Sequence, residues 1–395
     1  VISLYSPKHQ EKKFRLKKTF PFAQHHIRVR AIEEKENDSR GFEVFFKGFI
    51  LTKQIQLAVD DDQLQKEYRV SVVINTLNRA AHLKSLLQAM EKQTYPYFEI
   101  IVVNGPSTDK TREVLRPYHD RIKVLDCPEA NLSLSRNIGI EHAAGNYVAF
   151  IDDDALPCNA KWLENFVYFL HFHSDKKIGI AGGPVKHKNS EHYEFKNGAS
   201  SDYGFQIFRE EELKHHVLDG KRWVQGIAGG NNIASKKALY EIGGFDERFV
   251  YYLDETDVCI RLARKGYTII NNPTNYIRHF KAPGELRKSS YEIRWDIIAR
   301  SDMFYALKNG DDILPIRAIK AMLAFKKKHF YKELLRARED HTISVKDYRK
   351  YRRLLQKGFY EGLKWGLFNT NKKQLIDKSI TFHSFKQPVD KYVLT

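Results

Sequence analysis

Three consecutive carboxylates, Asp152-Asp153-Asp154, follow without a spacer on the apolar run Tyr147-Val148-Ala149-Phe150-Ile151. Adjacent like charges repel, and burying them is costly unless a cation or hydrogen-bond donors compensate. A buried strand that ends in carboxylates suits a divalent cation carrying a phosphate-bearing ligand. A solvated acidic turn would use the same residues; the strand in front of them argues for the cation. A second triplet, Asp60-Asp61-Asp62, has no strand before it and reads as linker.

Other polar groups recur at neighbouring strand ends. Thr76, Asn78 and Arg79 close the first buried strand, and Asn104, Ser107 and Asp109 follow the second. Ser135-Arg136-Asn137 lies on the helix before the triplet. In a parallel sheet these loops converge on one edge. They offer amides and hydroxyls for a base and ribose, an arginine for phosphate and carboxylates for a metal. Each alone is ordinary turn and cap chemistry; their recurrence at consecutive strand ends points to a nucleotide.

Asp254-Glu255-Thr256-Asp257 opens a later helix, where the dipole favours acidic residues in any case. The sharp turns Gly229-Gly230-Asn231-Asn232 and Gly243-Gly244-Phe245-Asp246 precede it and bring it up to a cleft. A carboxylate there could accept a proton from a hydroxyl nucleophile. His279 follows Pro273; a lone histidine is more often structural than a ligand.

The elements that must carry these groups alternate from Arg69 onward. Val70 to Ile74, Phe98 to Val103 and Ile122 to Leu125 read as strands, with a helical stripe at Leu83, Leu86, Leu87 and Met90. Thr108 or Asp109 is expected to cap the helix bearing Val114 and Leu115. The helix around Ile138 is expected to close at Gly145 as a left-handed glycine. Alternation of this kind implies a parallel sheet covered by helices, with ligands beyond the carboxyl ends of its strands. Ile178 to Ala181 is strand-like, and residues 184–222 read as polar and irregular. Helices at 236–242 and 254–265 stop at Gly243-Gly244 and Gly266.

Before this core, Ile27/Val29/Ala31 and Phe42/Val44/Phe46 alternate with charged residues, which suggests a β-rich accessory unit over residues 1–66. Beyond residue 283 the chain becomes helical and basic. Ile316, Ile319, Leu323, Phe330 and Leu334 fall at helical spacing among Arg317, Lys320, Lys326, Lys327, Lys328, Lys332 and Arg336.

With 395 residues, 42% of them hydrophobic, the chain can bury a substantial core. A formal net charge of +17 favours acidic partners: nucleotides, phospholipid headgroups or nucleic acid. Cys127, Cys158 and Cys259 are isolated, which favours a reducing compartment and argues against a zinc site. No apolar run is long enough to span a bilayer, and no secretory h-region stands near the start. A cytoplasmic location is expected.

The stretch from Val70 to about Phe280 resembles the inverting glycosyltransferases of family 2, which have the GT-A fold. The resemblance covers residues 68–282. It is carried in order by the segments Val70–Arg79, Val102–Asp109 and Ser135–Gly139, then the Asp triplet, Gly243-Gly244-Phe245-Asp246 and Asp254–Arg261. It implies an α/β GT-A domain over 67–282, with a Rossmann-like, mostly parallel nucleotide-binding sheet and flanking helices. The β-rich unit would precede it and a basic helical region, 283–395, would follow.

The resemblance also implies roles. Thr76, Asn78 and Arg79 would line the nucleotide pocket, with Asn104 at the base; Ser107, Asp109 and Arg136 would support it or reach the diphosphate. Asp152 and Asp153 would hold the nucleoside and the surroundings of the metal. Asp154 would ligate Mg²⁺ or Mn²⁺, with His279 beside the metal or diphosphate. Gly230 and Asn231 would border the sugar and acceptor. Glu255 matches the catalytic base, with Asp254 beside it; the pair reads Asp-Glu where Glu-Asp is common, so both stay candidates. Many relatives have Asp where this chain has Asn104, which leaves the base open while keeping a UDP-sugar as the preferred donor.

The reaction implied is a metal-dependent, inverting transfer of a sugar from a nucleoside-diphosphate sugar to a hydroxyl. The acceptor would be a saccharide or lipid-linked saccharide of a cell-surface polysaccharide or glycolipid. The basic helices either pack with a solvated charged face or attach to an anionic membrane surface, placing the protein at the inner face of the plasma membrane. Two rivals remain. Nucleic-acid binding would use the basic surface but leaves the acidic triplet idle, and no nucleic-acid module stands out. A sugar-phosphate nucleotidyltransferase would need an early Gly-rich basic loop, which the chain lacks.

Overall fold

The structure, a computed structural model, describes residues 61–213, 218–310, 315–368, 375 and 380–386. The first elements are α1 (Asp61–Glu67), β1 (Val70–Thr76), α2 (Ala80–Glu91), β2 (Phe98–Asn104), α3 (Thr111–Leu115), β3 (Lys123–Asp126), α4 (Leu132–Glu141) and β4 (Tyr147–Ile151). Then come β5 (Ala155–Pro157), α5 (Trp162–Phe172), β6 (Ile178–Gly182), β7 (Val185–His187), β8 (Tyr193–Phe195), β9 (Gly198–Ser201), β10 (Gln206–Ile207) and α6 (Glu210–Leu213). After them lie β11 (Trp223–Gly226), β12 (Asn231–Ser235), α7 (Lys236–Glu241), α8 (Asp254–Arg264), β13 (Thr268–Asn271) and β14 (Ile277–His279). The helices α9 (Trp295–Asn309), α10 (Ile316–Ala321), α11 (Lys328–Glu339) and α12 (Val345–Phe368) finish the fold, with a π-helical turn, Met322–Lys327, joining α10 to α11.

β2 is buried along its whole length and β1 at all but Asn75. That explains their largely apolar sequences, since strands covered on both faces need no polar alternation; the buried exceptions Ser71 and Glu99 satisfy each other, Ser71 Oγ donating to Glu99 Oε1 at 2.6 Å. They anchor a seven-stranded sheet of order β13-β6-β12-β4-β1-β2-β3. All neighbours are parallel except β12, which runs antiparallel to both β4 and β6. The reversal has a consequence for chemistry. Asn231 opens β12 opposite Ile151, which ends β4, so the Gly229-Gly230 turn arrives beside the Asp triplet. The expected α/β class and mostly parallel sheet are thus observed.

A second sheet of order β5-β14-β7-β8 stands over the same edge. Its β14 pairs His279 with Ala155, the residue after the triplet. Its β7 and β8, followed by β9 and β10, occupy part of residues 184–222, where irregular structure was expected. They were hidden because two- to four-residue strands are too short to show a period.

The C-terminal helices share the core of the sheet. Phe304 and Tyr305 of α9 belong to the same buried cluster as Val103, Phe150, Phe249 and Val258. Residues 60–395 form one compact unit that runs on across residue 283. α12 lies close on α9 because Gly358 and Gly362 face the Asp296 and Arg300 carbonyls, where a β-carbon would collide or crowd.

Two further expectations change. Gly145 has no positive φ. It is needed because a β-carbon there would press on the Arg69 carbonyl and Ser71 amide, each at 2.7 Å. Gly243, Gly244 and Gly266 do adopt the left-handed conformation. The accessory unit read over 1–66 lies outside the described residues up to residue 60; Asp61 and Asp62 open α1 rather than a linker.

Candidate active site

The ends of β1, β2 and β4 meet at one edge. Thr76 donates from Oγ1 to Asp153 Oδ2 at 2.8 Å. The Arg79 guanidinium reaches Asp153 Oδ1 at 3.0 Å and Asp154 Oδ2 at 2.9 Å, and donates to the Ala282 carbonyl at 2.9 Å. Asn78 ties two loops together. Its Oδ1 accepts from the Thr108 amide at 2.7 Å, and its own amide donates to Ser107 Oγ at 3.0 Å. Asp109 caps both neighbouring helices, accepting from the Ala80 and Thr111 amides, each at 3.0 Å. Asn104, at the tip of β2, is only 1% exposed, yet its side-chain Oδ1 and Nδ2 have no partner among the described residues. A buried amide left unpaired is costly, so this one is available to a ligand.

Asp152, Asp154 and His279 each offer a ligand atom within 4.8 Å of the other two. His279 Nε2 stands 3.2 Å from Asp154 Oδ1. Its Nδ1 stands 2.9 Å from Glu194 Oε2 of β8, which fixes the ring from behind. Two carboxylates and an imidazole held by an outer carboxylate fit a divalent cation. The electrostatics agree. Burial raises Asp152 above the usual carboxylate range and lifts Asp153 to about 7 against the pull of Arg79. Burial also opposes the charge on Asp154, but His279, Arg79 and the Ala282 amide bring it down to about 2. Burial lowers His279, but its hydrogen bond to Asp154 and the Asp152 and Asp154 charges lift it to about 9. Without a metal, the imidazolium and Arg79 are the cations this carboxylate group holds.

The opposite wall is the start of α8. Asp254 is 2% exposed and its carboxylate pairs with Arg136 Nη1 from α4. Arg136 also donates to the Gly229 carbonyl at 3.3 Å and lies over the Phe245 ring at 5.1 Å. Glu255 is half-buried, and no described residue forms an ion pair with it. Burial, followed by the adjacent Asp254, raises Glu255 well above the ordinary glutamate range. The Gly229-Gly230 turn separates the two acidic walls. A β-carbon on Gly230 would collide with the Asp152 carboxylate; one on Gly229 would stand 3.4 Å from Glu255 Oε2.

Backbone strain gathers at this edge. Of the five non-glycine residues with positive φ among those described, four border the site: Asn78, Tyr252, Leu253 and Lys281. Such conformations cost about 1–3 kcal/mol each and persist where surrounding structure holds them. Tyr252 and Leu253 immediately precede the acidic start of α8.

A profile described as Glycosyl transferase family 2 matches residues 71–241, from β1 to the end of α7. Residues 71–241 are a family 2 glycosyltransferase domain. The GT-A fold is the sheet described above. Glycosyltransferase AglE of Haloferax volcanii is 30% identical to this chain over 187 residues, 46% of the chain and 57% of that protein. Poly(ribitol-phosphate) beta-N-acetylglucosaminyltransferase TarS of Staphylococcus aureus is 29% identical over 128 residues, 30% of the chain and 22% of that protein. The chain therefore spans little more than half of the first relative and less of the second. Among solved structures, S. aureus TarS 1–349 in complex with UDP-GlcNAc aligns with a TM-score of 0.49 and 18% identity, covering 75% of this chain and 81% of that one.

The fold brings Thr76, Asn78, Arg79, Asn104, Ser107, Asp152, Asp153, Asp154 and Gly230, together with Glu255 and His279 from beyond the matched segment, to one edge. Two expected residues are already engaged by the protein itself. Asn231 is fully buried, donating to the Pro184 and Asn275 carbonyls at 2.9 and 2.8 Å and accepting from Trp162 Nε1 at 2.9 Å. With those bonds made it anchors β12 and has nothing to offer an acceptor. Arg136, expected to support the nucleotide pocket or reach the diphosphate, is ion-paired with Asp254. Glu194 and Ala282 escaped the sequence reading. Glu194 lies 85 residues from the histidine it orients, and the Ala282 contact is made by a backbone amide, so no side-chain pattern marks it.

Proposed function

We propose that this chain transfers a sugar from a nucleoside-diphosphate sugar to a saccharide hydroxyl, inverting the anomeric carbon. One observation carries this reading: the Gly229-Gly230 turn stands between a cation-suited cluster and a proton-accepting carboxylate. Asp152, Asp154 and His279 would hold Mg²⁺ or Mn²⁺. Such an ion, when bound, offsets the charge that develops on a departing diphosphate.

The chain's own groups do the rest. Glu255 takes the acceptor's proton as the acceptor oxygen bonds to the anomeric carbon. The bond from that carbon to the diphosphate oxygen breaks, and its electron pair leaves with the diphosphate. A glutamate raised by burial is a stronger base than one in water, which suits the task. Asp254, neutralised by Arg136, is the weaker candidate for that role and acts as a positioning residue. Asn104 reads the base; its amide can accept from N3–H of uracil and donate to O4, which supports a uridine nucleotide. A polymeric acceptor is supported by relatives named for poly(ribitol phosphate) and, in Escherichia coli, for chondroitin synthesis.

A panel of nucleotide-sugars incubated with saccharide acceptors, with Mn²⁺ or with chelator, tests the reading. The expected result is Mn²⁺-dependent release of nucleoside diphosphate and a product of inverted anomeric configuration by NMR. Release that ignores chelator contradicts the metal role, and a retained anomer contradicts the mechanism.

A further inference from the structure

The run from α10 through the π-helical turn to α11 carries eight Lys or Arg and two Glu over residues 316–339. Its inner side is committed to packing: Ala318, Met322, Phe330 and Leu334 are buried with residues of α9 and α12. Its outer side forms a groove against α12, lined by Leu323, Lys327, Tyr331, Lys332, Tyr348 and Arg352. Among the described residues, no carboxylate lies within ion-pair distance of Lys327, Lys328, Lys332 or Arg352. The Arg352 guanidinium lies over the Tyr331 and Tyr348 rings at 5.0 and 5.5 Å. Its Nε, like the Tyr331 hydroxyl, is buried without a hydrogen-bond partner. Four cations around one groove, none of them paired with a described carboxylate, fit a phosphate.

Apolar residues stand in the same stripe. Ile316, Lys320, Leu323 and Lys327 recur at spacings of four, three and four. Ile316 is 47% exposed and Leu323 44%. A soluble polyanion gains nothing from exposed isoleucine and leucine; a bilayer offers phosphates and an apolar layer just beneath them. We propose that this face docks the protein on a membrane surface rich in anionic phospholipid, with headgroup phosphates in the α11–α12 groove and Ile316 and Leu323 at the acyl boundary. No described helix is long and apolar enough to cross a membrane, and docking of this kind does not require one.

Flotation of the full chain with vesicles tests the proposal without reference to transfer activity. The protein should float with phosphatidylglycerol-containing vesicles, not with phosphatidylcholine alone, and salt should weaken the association. The triple variant K327A/K328A/K332A should lose on the order of a hundredfold in affinity, from about 1 kcal/mol per basic residue, with an unchanged melting temperature. Leu323→Ser should weaken vesicle binding yet leave retention on a polyphosphate resin unchanged. Equal flotation with neutral vesicles, undiminished binding by the folded triple variant, or binding to polyphosphate but not to vesicles overturns it.

Discussion

Two groups of buried acids lie in this molecule, and they differ in how their charge is met. Asp246 accepts from Arg248 Nη2 at 2.7 Å and Lys308 Nζ at 2.8 Å. Asp257 meets Arg261 Nη2 and Lys308 Nζ, each at 2.7 Å, and Asn309 Nδ2 at 3.0 Å. Two carboxylates thus face three cations. Burial opposes the charge on both, yet Arg248 and Lys308 hold Asp246, and Arg261 and Lys308 hold Asp257, below the usual carboxylate range. At the end of β4 the balance is reversed. Asp152, Asp153 and Asp154 share Arg79 and His279, and their pKa values split, two upward and one downward. In the sequence the first group is split between the Gly243-Gly244-Phe245-Asp246 turn and the Asp254–Asp257 helix start, and the second is the Asp triplet. The matched one ties α8 to α9; the one with surplus negative charge is poised for a cation.

The comparison can be broken at several points. The largest effect is expected outside both groups, at the base. Glu255→Gln should lower transfer by about 10²–10⁴-fold while donor binding persists. Near wild-type turnover would remove Glu255 from the role. Next is the matched group. Lys308→Met removes the cation that Asp246 and Asp257 share, leaving each with a single arginine, and should cost about 1–3 kcal/mol in urea unfolding at neutral pH. Donor titration of the folded variant should be unchanged; a cost below about 1 kcal/mol would mean the group is not matched as described.

A smaller effect belongs to the surplus group. Glu194→Gln frees the His279 ring from its support and should weaken Mn²⁺ binding by about 10–100-fold. Calorimetric titration reads this directly, and unaltered affinity would detach Glu194 from the site. The smallest effect is in pH. Because Asp246 and Asp257 are depressed in the folded state, their contribution is complete above the unfolded carboxylate pKa of about 3.9 and is lost as pH falls through the folded values. Unfolding free energy should therefore drop in acid, and Asp246→Asn should flatten that drop by up to about 1.4 kcal/mol per pH unit. An unchanged slope would contradict the depression.

Much of this was legible before the structure. β1, β2 and β4 were visible because strands buried on both faces are dominated by apolar residues. The loops at their ends were visible because polar residues recur at each strand end. Position along the chain does not report charge balance, so the shared Lys308 that joins Asp246 to Asp257 left no mark in the sequence. Nor does it report strand direction. The antiparallel insertion of β12 is what delivers Gly229 and Gly230 to the site, and what buries Asn231 away from it. The short strand carrying Glu194 shows no periodicity, and its role depends on pairing across the second sheet.

The central claim is that Asp152, Asp154 and His279 bind a divalent cation together with a pyrophosphate. Calorimetric titration of Mn²⁺ and UDP into the wild-type chain, Asp154→Asn and Asp246→Asn tests it most directly. The account predicts that Mn²⁺ and UDP strengthen each other's binding in the wild type and in Asp246→Asn, and that Asp154→Asn abolishes this coupling. Identical coupling in Asp154→Asn and the wild type would contradict it.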